Sequence, residues 1–269
     1  MLRKIWSNSP PLTAATLLML VAFLGSLAGM YLDPRTITGV PAWLKPAKFG
    51  ISSAIYTGTL AWLFGYITVW PRFKRAMGAV IAAVILLEVA IIDVQAARGT
   101  TSHFNVGTAL DAALWGTMAV GILTLWLASA GVVIALFRQR FADPAWGWAL
   151  RLGMLISVVG AGMGGFMTRP TPAQMESLKR HEQVVAVGSH TVGAPDGGPG
   201  LPVVGWSSRH GDLRIPHFFG LHGLQIIPFF AWLMRGRRTP AGMFVFAGGY
   251  LALIALLTWQ ALAGHPILG

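Results

Sequence analysis

The chain has 269 residues, 55% hydrophobic and only 11% charged, with a mean hydropathy of +0.63, a balance that excludes an ordinary water-soluble domain. Cysteine is absent, which rules out disulfides, thiolate chemistry and sulfur-ligated clusters. The net charge of +11 reads as a topology signal and gives no reason to invoke nucleic acid.

Seven stretches are long and apolar enough to cross roughly 30 Å of hydrocarbon: about 11–32, 49–70, 76–97, 108–137, 148–168, 216–234 and 241–262. Lipid offers the backbone no hydrogen-bond partner, so each is expected to be helical. The predicted architecture is an all-α polytopic bundle of seven transmembrane helices, one domain over 1–269, in the bacterial inner membrane. The first segment also has a signal-peptide outline, with Arg3, Lys4, an apolar run and Ser26-Leu27-Ala28 before Gly29, and is taken as a retained span.

Lys and Arg set the orientation. With the N-terminus inside, short inner segments carry Arg3, Lys4, Arg72, Lys74, Arg75, Arg138, Arg140, Arg151, Arg235, Arg237 and Arg238, more than half of the 20 cations. That density predicts N-inside and C-outside. All seven histidines, His103, His181, His190, His210, His217, His222 and His265, then fall toward the outer side, together with every carboxylate except Asp143.

Along the chain, Trp43-Leu44-Lys45-Pro46-Ala47-Lys48 puts two cations at the outer mouth of the second span, suited to lipid phosphates. Ser52, Ser53 and Tyr56 follow within that span. Glu88 lies in an otherwise apolar run of the third span, about nine residues from its outer end and so roughly 14 Å deep. A carboxyl there must be protonated, hydrogen-bonded or bound to a cation; it is either functional or a neutral tie between helices. Asp93 is expected to pair with Arg98 or Arg214 near the surface. Arg98 to Asn105 forms a short outer loop rich in hydrogen-bonding side chains, and Asp111 reads as part of a helix cap after Thr108. The fifth span has small residues from Gly160 to Gly165 suited to close packing, with Met163 and Met167 as packing residues or thioether ligands for Cu(I).

The outer connection 169–215 is long enough to be functional or disordered. Thr171-Pro172-Ala173-Gln174 predicts a capped surface helix to about Gln183. The Gly- and Pro-rich run from His190 to Pro202 predicts turns without regular structure. The segment is read as a lid, with His190, Asp196, Asp212 and Arg214 as its ligand-facing candidates, against the alternative of a solvated linker.

The sixth span carries His217, His222 and Gln225. Five residues of helix set the two histidines about 140° apart, so a shared metal needs a bulge, for which Gly220 and Gly223 are candidates.

The stretches Trp43–Ser53, Gln95–Asn105 and His190–Gln225 resemble those of a bacterial family of uncharacterised multi-span inner-membrane proteins. In outline the chain is also similar to the seven-span hydrolases that include alkaline ceramidases and progestin-receptor-like proteins, which implies N-inside topology and zinc-binding histidines. It departs from them in placing His217 and His222 five apart near the outside, where that family has His-x-x-x-His near the cytoplasm. None of that family's catalytic residues carries over.

These readings predict an outward-facing polar pocket. Glu88 and His222 are the catalytic candidates, His103, His217 and His222 the cofactor candidates, and His103, His217, His222 and Glu88 the metal-ligand candidates. A zinc or copper ion or a haem would support hydrolytic or redox chemistry on a small molecule or lipid. Two other classes stay open: a transporter or proton-coupled channel using Glu88 and His222, and an assembly protein whose lid docks a periplasmic partner.

Overall fold

The computed structural model describes residues Leu2–Leu268, most of them helical. In chain order the elements are α1 (Leu2–Asn8), α2 (Pro10–Leu32), strands β1 (Thr36–Ile37) and β2 (Val40–Pro41), and α3 (Leu44–Leu63) with a 3-10 turn over Phe64–Tyr66. Next come α4 (Pro71–Ala97), α5 (Ala109–Arg138), α6 (Pro144–Gly162), the single turn α7 (Gly164–Met167) and α8 (Pro172–Lys179). Strands β3 (Thr191–Val192) and β4 (Gly211–Asp212), then α9 (Arg214–Leu233) and α10 (Pro240–Leu262), complete the chain.

Helix starts share one local logic. Pro sits in the first turn of α2, α4, α6, α8 and α10, where its missing N–H would be unpaired anyway and its φ is preset. Asp143 accepts the Trp146 N–H at α6, and Thr239 accepts the Gly242 N–H at α10, each satisfying a donor the helix leaves open. Thr171 and Gln174 form the expected reciprocal capping box. That helix closes at Lys179 rather than near Gln183, because His181 adopts a left-handed φ of +56°, which stops further helical bonding.

Among the described residues, five helical runs are long and apolar enough to cross a membrane: α2, α4, α5, Pro144–Met167 and α10. The other two expected spans form as 20-residue helices, α3 and α9, but are more polar. Helix α3 begins five residues earlier than expected, with Pro46 tolerated in its first turn, and so takes in Lys45 and Lys48. Helix α9 carries Arg214, His217, His222 and Gln225. Large apolar side chains, among them Leu24, Val120, Leu127, Val245 and Trp259, stay exposed on α2, α5 and α10, the inverse of a water-facing surface.

The chain divides into two compact units, Met1–Ser129 with Pro170–Val187 and Ala130–Arg169 with Gly188–Gly269. In the first, α2 lies close along α3: a Cβ added to Gly50 would come within 3.0 Å of the Phe23 backbone, and the Thr16 and Thr57 hydroxyls meet at 2.9 Å. Helix α4 joins α5 through Ile91, Ile92 and Met118, flanked by Phe49, Leu114 and Trp115. The segment after α8 is stitched to the loop before α5, with Val106 N–H donating to Val185 and Val187 N–H to Phe104.

In the second unit, Gly160 of α6 and Gly220 of α9 oppose each other so closely that a Cβ on either would lie 2.4 Å from the other's Cα. The small-residue face of α6 is thus a packing surface, and Met163 and Met167 are buried beside it. Helix α10 closes the core with Met243, Ala247 and Ile254 against Ile227 and Ala231. Where turns alone were expected after His190, Thr191 and Val192 pair antiparallel with Asp212 and Gly211. Gly211 faces Ala261 of α10 so tightly that a Cβ would fall 1.9 Å from its carbonyl oxygen.

Candidate functional site

In the first unit, Glu88 emerges from the inward face of α4, which also buries Ile81, Ile85, Ile92 and Gln95. The residue is 5% exposed, and Oε1 is buried with no hydrogen-bond partner among the described residues. That oxygen fits into a notch of α5: a Cβ added to Gly121 would sit 2.7 Å from it. An isolated buried carboxyl is costly in either protonation state, since even the neutral acid forfeits hydrogen bonds it makes in water. The reading of Glu88 as a hydrogen-bonded tie between helices therefore finds no bond at Oε1.

Asp93 lies five residues further along α4, and its Oδ1 is likewise buried without a partner. The expected ion pairs with Arg98 or Arg214 are replaced. Arg98 donates to Asp111 at 2.6 Å and to the Gln95 side-chain carbonyl, and Arg214 pairs with Asp212 at 2.5 Å. The reason is proximity along the chain: Asp212 is two residues from Arg214 and also accepts its backbone N–H.

The C-terminal end of α4 is closed by a hydrogen-bonded network. Gln95, fully buried, donates to Asp111 Oδ1 at 2.9 Å and to the Thr101 carbonyl. Thr108 donates to Asp111 Oδ2 at 2.6 Å and accepts the Asp111 N–H, which makes Asp111 part of the helix start as expected. Asn105 ties the loop to Thr100 and Thr101. The available signal was that Glu88 and Gln95, seven residues apart, share a helical face.

His103 sits in this same unit. Its Nδ1 lies 3.2 Å from Lys45 Nζ and 3.1 Å from Ser102 Oγ, and its ring packs among Phe49, Phe104 and Trp115 at centroid distances of 5.5, 6.1 and 5.6 Å. Lower on the bundle, Tyr56 and Ser129 share a hydrogen bond of 2.7 Å.

His217 and His222 belong to the second unit. Helix α9 runs without a bulge past both, so they turn to different partners: His217 Nδ1 to the Gly160 carbonyl at 2.8 Å, His222 Nδ1 to Gln225 Oε1 at 3.2 Å with its ring against Phe218. The other two candidates of the 169–215 connection form a local pair, His190 Nδ1 with Asp196 Oδ2 at 2.7 Å. Asp196 also accepts from Ser189 Oγ and from the backbone N–H groups of His190 and Thr191. Burial pushes the Asp196 carboxyl up, but the His190 hydrogen bond and charge and the two backbone donors outweigh it and hold the group well below the usual carboxylate range. Among the described residues, no group of three or more His, Asp or Glu side chains is placed to hold a metal ion, so His103, His217, His222 and Glu88 do not make the expected ligand set.

Comparison with known proteins returns no match: no family model, no curated protein and no solved structure is similar to this chain.

Proposed function

We propose that the chain is a multi-pass protein of the bacterial inner membrane, threaded seven times with its N-terminus inside, and that it is a proton-coupled transporter or channel whose working group is Glu88. The observation that carries this reading is the buried, unpartnered Oε1 of Glu88 in the middle of a 27-residue apolar helix. Ionisable groups at such depth are costly and commonly mark ion and proton pathways, which supports this reading. In this cycle Glu88 takes a proton while open to one side, crosses the closed state neutral, and releases it to the other. Asp93, with its own buried oxygen on the outer side of Glu88, is the intermediate carrier.

Among the described residues, the four metal-ligand candidates belong to no group of three or more such side chains, so the metal-centre reading has less support than the buried carboxyl gives to proton transfer. The test is proton flux in proteoliposomes carrying a pH-sensitive dye. The wild type collapses an imposed proton gradient faster than empty vesicles, and Glu88→Gln, which keeps the side-chain volume but cannot ionise, returns to the empty-vesicle rate. A Glu88→Gln protein with wild-type flux, or a wild type no faster than lipid alone, overturns the assignment.

A further inference from the structure

Between Glu88 and the C-terminal end of α4 lie two stacked layers of side chains. The nearer layer is apolar: Ile91, Ile92 and Met118 are at most 7% exposed, and Phe49 of α3 packs on them with Leu114 and Trp115 of α5. The farther layer is polar and stands seven residues beyond Glu88, about 10 Å along the helix. There Asp111 Oδ1 of α5 accepts from Arg98 at 2.6 Å and from Gln95 at 2.9 Å, while the Gln95 carbonyl accepts from Arg98. The three side chains close a triangle that ties the last turn of α4 to the first turn of α5. Solvent ends at this triangle, for the Arg98 side chain is 35% exposed and that of Asp111 only 6%.

An apolar constriction excludes water, and with it the hydrated path a proton needs. A carboxylate held by a guanidinium and an amide is strong enough to keep such a constriction shut, yet it breaks without covalent change. The end of α4 is itself anchored, since Arg35 donates through Nη1 to the Ala97 carbonyl at 3.0 Å and is fixed by Asp33. Helix α5 follows after the 99–108 loop, in which Gly99 takes a left-handed φ of +75°.

We propose that these layers are the gate between Glu88 and the side on which α4 ends, with Ile91, Ile92 and Met118 as the seal and Arg98, Gln95 and Asp111 as the latch. The gate rests on the reading of Glu88 as the proton-carrying group, and the structure is the state closed to that side. Opening tilts the first turns of α5 away from the anchored end of α4, which parts latch and seal together. Gly121, whose notch receives Glu88 Oε1, lies on the same moving helix, so the motion that admits water also releases the carboxyl.

The test is thiol accessibility, for which a chain without cysteine is suited. Met118→Cys is introduced into the full-length protein and treated with a small charged methanethiosulfonate, which reacts only where water reaches the thiol. With the latch intact the reaction is slow. Adding Asp111→Asn or Arg98→Gln, each of which removes one charge of the pair, raises its rate at least about tenfold, the population change expected from losing one hydrogen bond to a charged group. Ile156→Cys, at a position 1% exposed in the second unit, stays unreactive with either latch variant, which separates gate opening from unfolding. In proteoliposomes the adduct on Met118→Cys with Asp111→Asn blocks proton flux, and its removal by a reducing thiol restores it. A rate that neither latch variant changes, equal reactivity of Ile156→Cys, or flux indifferent to the adduct overturns the gate while leaving Glu88 in its role. Wild-type vesicles without proton flux overturn the Glu88 reading and the gate with it, a failure seen before any thiol is introduced.

Discussion

Glu88 offers a test that separates a working carboxyl from a structural one. Its Oε1 has no partner to lose, so Glu88→Leu is expected to raise stability, by about 1–3 kcal/mol, because an unsatisfied buried polar group gives way to an apolar one of similar size. The same substitution abolishes flux. A Glu88→Leu protein that melts lower in detergent would show that the carboxyl holds helices together instead. Gly121 tests the notch: the Cβ of Gly121→Ala would crowd only the far end of the Glu88 side chain, so the variant folds with a thermal midpoint close to wild type while its flux falls. Asp196 gives a pH dependence. Its folded-state pKa lies below the ordinary value of 3.8, so its contribution is fully present above that value and is lost as the pH falls toward the lower folded one. Thermal melts from pH 6 downward should show an acid-side loss that Asp196→Asn reduces. The importance of Glu88 was legible because a lone carboxyl in an apolar run stands out in one dimension. The Asp93 pairing was not, since Arg98 and Arg214 each had a second acid within reach, Asp111 and Asp212, and choosing between them needs the folded loops.

At the scale of elements, the contact between α6 and α9 leaves no room for a side chain at its closest point. Gly160→Ala would drive a Cβ into the Gly220 main chain; backbone cannot rotate away as a side chain can. The expected cost is about 1–3 kcal/mol or more, read as a lowered denaturation midpoint in detergent, whereas Gly249→Ala, with open space around its Cβ, leaves the midpoint unchanged. Local chemistry predicted the start of α8, since Thr171 with Gln174 acts within a few residues and needs no tertiary context, but α4 and α6 begin at Pro71 and Pro144, ahead of the apolar runs that marked their spans, because each Pro is accepted in a first turn. It predicted ends and polar helices less well. The early start of α3 rests on Pro46 being accepted in a first turn rather than acting as a breaker, and the early end of α8 rests on the left-handed backbone of His181, which His shows only in particular surroundings. The β3–β4 pairing joins Thr191 to Asp212 and Val192 to Gly211, segments distant in the chain, and leaves no periodic trace in strands of two residues.

For the whole molecule, hydropathy fixed the class because composition integrates over the chain, while the path through a bilayer depends on α3 and α9, whose polar faces pull them below the apolarity of the other five. Orientation can be measured directly, since the chain contains no cysteine and single introduced thiols report on one site each. Ala173→Cys, exposed on α8, should react with an impermeant maleimide on intact spheroplasts, and Arg72→Cys only after lysis; the reverse pattern would invert the topology. The hairpin of β3 and β4 has a practical outcome of its own. It pinches the base of the 193–210 arc, aided by the Leu213 to His190 bond, while the tip presents Val203, 72% exposed, with a left-handed φ of +65°. A protease nick at that tip would therefore leave two fragments that migrate together in a native gel and part only when boiled in detergent.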